Sequence, residues 1–359
     1  MIDKKTIVKT LLLVSALIVG STPNSYAASA VTQGPNGEKA TACKTIKVTT
    51  SQKNQVKNGK FSAALLWHTS GEFVDAVNSG ASDTFKSLGV KVVATADAQF
   101  DVAKQKANVE NAMAKKPSVI LGLPFDGVAA AAAYKPAVDA GVKLVFLSNT
   151  PDKFTYGKEF VTIVTDDLAQ MGIQAADALA KAMGGKGEVG YIYHDATYYV
   201  TNQRDQAFKA QILAKYPKMK IVSEVGLADP SKGQEIAQAM LTKNPNLGGV
   251  YVTWAQPAEG VLAALKASGN KKTKIVTLDL SEPLAVDMVK NGNVAALTAD
   301  QAYELGSCMA RAGALGLIGA KVKPFLIAPA LTVTKNNVQA GWKQSLNKPL
   351  PKAVKNAQK

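Results

Sequence analysis

Side chains able to grip a small polar molecule fall at one recurring kind of place in this sequence, immediately after runs of Val, Ile, Leu and Ala. The run at 61–67 ends in Trp67-His68-Thr69-Ser70, with Phe73 just beyond. The run at 142–147 ends in Ser148-Asn149. The run at 188–193 leads into His194-Asp195, followed by Tyr198, Asn202 and Arg204. Trp254 and Gln256 follow 249–253, Asp279 follows 274–278, and Asp300 and Gln301 follow 294–297. The chemistry of these types is that of carbohydrate or polyol binding. Flat rings cover the C–H faces of a sugar, while carboxylates, amides and guanidinium make paired hydrogen bonds to its hydroxyls. Asp279 and Asp300 are expected to accept those bonds in the ionised state, and Trp67 and Trp254 to close on the ligand from opposite sides. Taken singly, each residue also has a plainer role. Trp67 or Trp254 would suit a core, Asp279 would suit the N-cap of a following helix at 282–291, and Arg204 would suit a surface ion pair. Their joint placement after consecutive apolar runs is what points to a convergent cleft.

Catalytic constellations are missing. The chain contains no GxSxG elbow, no HExxH, no GxxxxGK[ST] loop and no GxGxxG opening a helix. Gly184-Gly185-Lys186-Gly187 falls between a helix pattern and a strand pattern and reads as a turn. The two histidines, His68 and His194, both sit at strand ends as hydrogen-bonding partners. No metal or cofactor is implied. An exported hydrolase or isomerase using His68 and Asp279 is the rival from another functional class.

The elements that must position these residues alternate regularly. From residue 60 onward, strands rich in Val, Ile and Leu alternate with helices that close at Gly89, Gly141 and Gly184, at intervals of about 25–30 residues. That alternation means βαβ units and parallel sheet. About eleven strands are too many for one comfortable open sheet, so the expected class is α/β with two doubly wound, Rossmann-like lobes. In such sheets ligands bind beyond the C-terminal ends of the strands, where the candidates lie.

Upstream, Lys4, Lys5 and Lys9 precede an apolar run at 10–20 and a stretch of small residues, the pattern of a cleavable secretory signal over residues 1–27. The run is too short to span a bilayer. A periplasmic destination follows. Residues 28–59, rich in Thr, Ser, Lys, Asn and Gly, read as an N-terminal extension, and residues 338–359, with Trp342, as a C-terminal tail. The net charge of +15 comes from scattered lysines, which read as a solvated surface and not as a nucleic-acid footprint. Cys43 and Cys308 suit either a disulfide or two unrelated thiols.

The chain resembles a known family over roughly residues 60–335, the type I periplasmic binding proteins for sugars such as ribose and galactose. Asn202-Gln203-Arg204-Asp205-Gln206-Ala207-Phe208 resembles the family's Arg-containing segment that opens a helix after a strand. Val276-Thr277-Leu278-Asp279 is similar to its strand ending in a ligand-binding Asp. The stretch from Gly292 to Gln301 resembles its G-x-hydrophobic-A-A segment, and Thr165-Asp166-Asp167 its first passage between lobes. The resemblance implies two lobes joined by a three-crossing hinge, an N-terminal lobe of 60–165 plus 301–329 and a C-terminal lobe of 166–300 plus 330–337. It also implies ligand contacts at Phe73, Arg204, Asp279 and Asp300. The implied partners are a sugar or polyol and the permease of an ABC importer in the inner membrane, with a chemoreceptor or sensor kinase as the alternative, and a monomeric state. Relatives that act as repressor effector domains carry a helix-turn-helix, which is missing before residue 60. Three positions depart from the family. Ser148-Asn149 stands where an Asp-Arg pair is common, Trp254-Ala255-Gln256 where Asn-Asp is common, and Trp67-His68 where small hydroxyl residues are common. These departures trade charged groups for indole.

Overall fold

A computed structural model describes residues 31–196 and 198–359; the secretory signal expected at 1–27 lies outside them. The strands form two sheets. β1 (Thr41–Ala42), β2 (Ser62–Trp67), β3 (Lys91–Asp97), β4 (Val119–Gly122), β5 (Lys143–Leu147) and β6 (Thr162–Asp166) belong to the first. β7 (Gly187–His194), β8 (Met219–Leu227), β9 (Leu247–Val252), β10 (Lys274–Leu278) and β11 (Val294–Ala299) belong to the second. Near the C-terminus β12 (Phe325–Ala328) returns to the first sheet and β13 (Leu331–Val333) to the second. The orders are β1-β12-β6-β5-β4-β2-β3 and β13-β11-β10-β9-β7-β8. Every pairing is parallel except β13 with β11. Central strands such as Val119–Gly122 are buried on both faces, as an apolar run without alternation requires.

The helices are α1 (Thr50–Asn58), α2 (Glu72–Leu88), α3 (Val102–Met113), α4 (Gly127–Asp139), α5 (Leu168–Met183) and α6 (Tyr199–Lys215), then α7 (Gly233–Lys243), α8 (Ala255–Ala267), α9 (Glu282–Val289), α10 (Ala302–Leu317), α11 (Val338–Leu346) and α12 (Lys352–Ala357). α2 ends at Gly89, whose φ of +76° gives the left-handed turn that only glycine adopts freely. α2 and α10 pack backbone to backbone. A Cβ at Gly80 would lie 2.0 Å from the Tyr303 carbonyl oxygen, and one at Gly306 would lie 1.9 Å from that of Val77.

The chain passes between the sheets three times, after β6, after β11 and between β12 and β13. The three passages are hydrogen-bonded to one another. Asp167 N donates to the Ala328 carbonyl, Gln301 N to Asp166 Oδ1 and Gln301 Nε2 to the Pro329 carbonyl. That is the three-crossing hinge.

Both ends of the described chain are tied to this frame. In the N-terminal extension β1 extends the first sheet, and Cys43 forms a disulfide with Cys308 of α10. Thr32 Oγ1 donates to Asp167 Oδ1 at 2.5 Å and accepts from Ala169 N. At the other end, residues 338–359 depart from the expected tail. They form α11 and α12, with Trp342 and Val354 fully buried, and Ser345 Oγ donates to the Asp300 carbonyl. The segment is too short on its own to bury an indole, and its pattern shows amphipathicity only against the surface it covers.

Candidate functional site

The C-terminal edges of the two sheets face each other across a cavity of about 590 Å³, within the range of small-molecule sites. From the first lobe come His68 after β2, Phe73 on α2 and Ser148-Asn149 after β5. The second lobe supplies His194 at the end of β7, Tyr198 and Arg204 around α6, Trp254 after β9, Asp279 after β10 and Asp300 after β11. Ten of the twelve residues expected at the site therefore line one cavity. Asp279 does not cap the following helix, because Ser281 fills the N-cap of α9.

Two residues lie elsewhere. Trp67 is the last residue of β2, and its ring points away from the cavity into the core, with Nε1 donating to Asn78 Oδ1 at 3.0 Å. Consecutive strand residues face opposite sides, so the position that reaches the cavity is His68. Asn202 lies two residues from Arg204, about 200° round a helix. It faces a separate, wider recess of about 1510 Å³ beside the cleft, shared with Tyr193 and Asp152. The pair of opposed indoles is thus replaced by Trp254 alone, in T-shaped contact with His194 at 4.9 Å. Phe73, Phe100 and Phe125 provide the first lobe's apolar wall. Phe100 packs on His68 at 5.0 Å and sits in the left-handed region, with φ of +56°. Its sequence context, Gln99-Phe100 between a strand and a helix, carries no signal for this.

At the cavity floor Arg204 is held by its own helix. α6 packs against α5 where Gly172 leaves room, since a Cβ there would lie 2.1 Å from the Arg204 carbonyl oxygen. The guanidinium is buried. Nη2 donates to the Thr253 carbonyl at 3.2 Å, Nη1 stands 3.9 Å from Asp279 Oδ1, and Nε has no partner among the described residues. The Asp300 carboxyl neighbours those of both Asp166 and Asp279. Burial pushes Asp166 up to about 6, against the lowering effect of Asp300, Gln301 N and Arg204; burial first and a neighbouring carboxylate next push Asp300 up to about 7 and Asp279 well above the usual carboxylate range. Burial therefore favours the protonated form in this group of three carboxyls around one guanidinium. This corrects the expectation that Asp279 and Asp300 both remain ionised: each was read as an isolated acceptor, and the sequence separation of 166, 279 and 300 hides their contact. Burial lowers His68 to about 4 and also lowers His194, whose Nδ1 is 2.9 Å from Thr201 Oγ1. Both rings are neutral near pH 7, and among the described residues His68 Nδ1 is buried without a hydrogen-bond partner.

The family model described as periplasmic binding protein domain matches residues 63–321. The chain belongs to the periplasmic binding protein family. Among the relatives of this periplasmic binding protein is the ribose import binding protein of Salmonella typhimurium, 26% identical over 235 residues, which are 66% of this chain and 77% of the relative. The D-ribose/D-allose-binding protein of Pseudomonas aeruginosa is 30% identical over 207 residues, 56% of this chain and 64% of the relative. A carbohydrate transporter solute-binding protein from Agrobacterium radiobacter, solved with D-arabinose, superposes with a TM-score of 0.69 at 28% identity, over 80% of this chain and 99% of the other. The family and these relatives are binding proteins.

Proposed function

We propose that the protein captures a monosaccharide or polyol between its lobes and hands it, unchanged, to the permease of an ABC importer in the inner membrane. The observation that carries this reading is the cavity itself. It places one guanidinium whose Nε has no partner among the described residues, two carboxylates from β10 and β11, and the rings of Phe73 and Trp254 around a volume suited to a single sugar. Relatives named for ribose, allose and arabinose support the ligand class. Export to the periplasm agrees with the signal pattern at 1–27 and with the family. A monomer suffices, because one chain supplies both walls of the site.

The mechanism is a population shift. Contacts from one ligand to both lobes favour the closed arrangement in proportion to the difference in affinity between the two forms. Trp254 and Phe73 cover the C–H faces, Arg204 donates to hydroxyls, and Asp279 and Asp300 accept from them. The test combines calorimetric titration of ribose, allose, arabinose and their polyols with small-angle scattering. A ligand should raise the melting temperature and reduce the radius of gyration. Tight binding without a change in scattering rejects hinge closure, and a melting temperature indifferent to every sugar and polyol rejects the ligand class.

A further inference from the structure

The charge inside the cavity is opposite to the charge of the chain. The protein as a whole carries +15, yet among the described residues six carboxylates line the cavity (Glu72, Asp166, Glu259, Asp279, Glu282 and Asp300) against Arg204 as its one permanent cation. His68 and His194 do not offset them, because burial keeps both rings neutral near pH 7. The acids form two tiers. Asp166, Asp279 and Asp300 surround Arg204 at the floor, where the guanidinium can balance only one of them. At the mouth, Glu72 of α2 in the first lobe faces Glu259 of α8 and Glu282 of α9 in the second. Burial pushes Glu72 up, Lys348 opposes that rise, and Glu282, Asp75 and Glu259 add to it. Closing the lobes brings these glutamates together, which like charges resist unless a cation lies between them.

We propose that the ligand carries a protonated amine, as an amino sugar or amino polyol does, in place of a wholly neutral monosaccharide. This deepens the carbohydrate-capture reading and rests on it. The ammonium takes the acidic side of the cavity, where three N–H donors meet carboxylates that Arg204 leaves unbalanced. The remaining hydroxyls engage Arg204. The rings of Trp254, Tyr198, Phe73 and Phe100 line the same space and attract a cation through their faces. A bare metal ion is a poorer occupant, since among the described residues no three His, Cys, Asp or Glu side chains converge closely enough to hold one. Burial favours the protonated form of the floor acids, so a bound cation, which favours the ionised form, should release protons.

The experiment titrates the full mature chain with D-ribose, D-arabinose and D-allose, each beside derivatives in which one hydroxyl at a time is replaced by an amino group. At neutral pH and low salt, at least one amino derivative should bind about tenfold or more tighter than its neutral parent. Repeating that titration in buffers of different ionisation enthalpy should reveal proton release for the amine and none for the parent. Asp300→Asn should narrow the amine-to-parent ratio. If that variant does not fold, Glu282→Gln at the mouth should reduce the ratio by about two- to fivefold. Parents binding as tightly as every amino derivative, or proton release identical for both, overturns the amine assignment and leaves carbohydrate capture standing. Failure of both sets to bind overturns carbohydrate capture and the amine assignment together.

Discussion

Replacing Arg204 with Met keeps most of the side-chain volume and deletes the charge, so it separates the two jobs of this residue. The first is ligand contact. Nε has no partner among the described residues and Nη1 makes no hydrogen bond to Asp279 at 3.9 Å, leaving two donors for the ligand. Charged hydrogen bonds contribute about 1.5–3 kcal/mol each, so Arg204→Met should weaken binding by about 3 kcal/mol or more, roughly a hundredfold in Kd. The second job is electrostatic. A carboxyl whose folded pKa lies above its unfolded value, near about 3.9 for Asp, holds a proton that the unfolded chain releases. Stability is then highest below the unfolded pKa and falls as pH rises towards the folded one. For Asp166 and Asp300 that window runs up to about 6 and about 7. Arg204 lowers both, and Asp279 as well, so its removal pushes them higher and extends the fall to higher pH. The unliganded variant should lose under about 1 kcal/mol at pH 5, where protonated acids need no counter-charge, and about 2–4 kcal/mol at pH 8, approaching the cost of breaking a buried ion pair. Urea melts across pH 5–8 and calorimetry measure the two effects. Parallel pH profiles for variant and parent would refute the electrostatic role, and unchanged affinity would remove Arg204 from the ligand.

Trp254→Phe should abolish most of the ligand-induced change in intrinsic fluorescence, whereas Trp67→Phe should leave that change intact and lower the melting temperature; a response that survives Trp254→Phe would place that indole away from the ligand. Gly172→Ala should push α6 off α5 and weaken ligand binding by about 1–3 kcal/mol through the displacement of Arg204, on the scale of overpacking, a result checked by titration and contradicted if affinity and melting are both unchanged. The Cys43→Ser, Cys308→Ser double variant should lose about 2–4 kcal/mol of stability by denaturant melting, while ligand affinity measured well below the new midpoint should stay within a few fold, because the bridge anchors the extension to α10 and does not touch the cavity.

The class of the fold and the address of the site were legible in the amino-acid order, for local reasons. An apolar run buried on both faces, followed by an amphipathic helix closed at glycine, needs only its neighbours to be read as a βαβ unit. α2 illustrates this: its apolar spacing is local, and it stops at Gly89, where the sequence places the helix end. Position at a strand's C-terminal end is likewise a local property, which is why His68, Ser148, Trp254, Asp279 and Asp300 reach one cavity.

Side-chain direction and charge state were decided by tertiary structure. Whether Trp67 or His68 turns to the cleft depends on how β2 packs against α2, where Asn78 accepts from Trp67 Nε1. Asn202 follows the same strand end as Arg204 yet looks into the other recess, because the rotation of α6 is set by its contact with α5 at Gly172. The coupling of Asp166, Asp279 and Asp300 arises only when the first crossing meets the ends of β10 and β11. Carboxylates that read singly as ionised acceptors then become a cluster around one guanidinium in which burial favours the protonated form. Trp342 belongs to the same class: in sequence it ends a short polar segment, and only the surface beneath α11 makes it core. Periodicity and strand ends are written in neighbouring residues, whereas orientation, burial and protonation are set by the partners that the folded chain brings together.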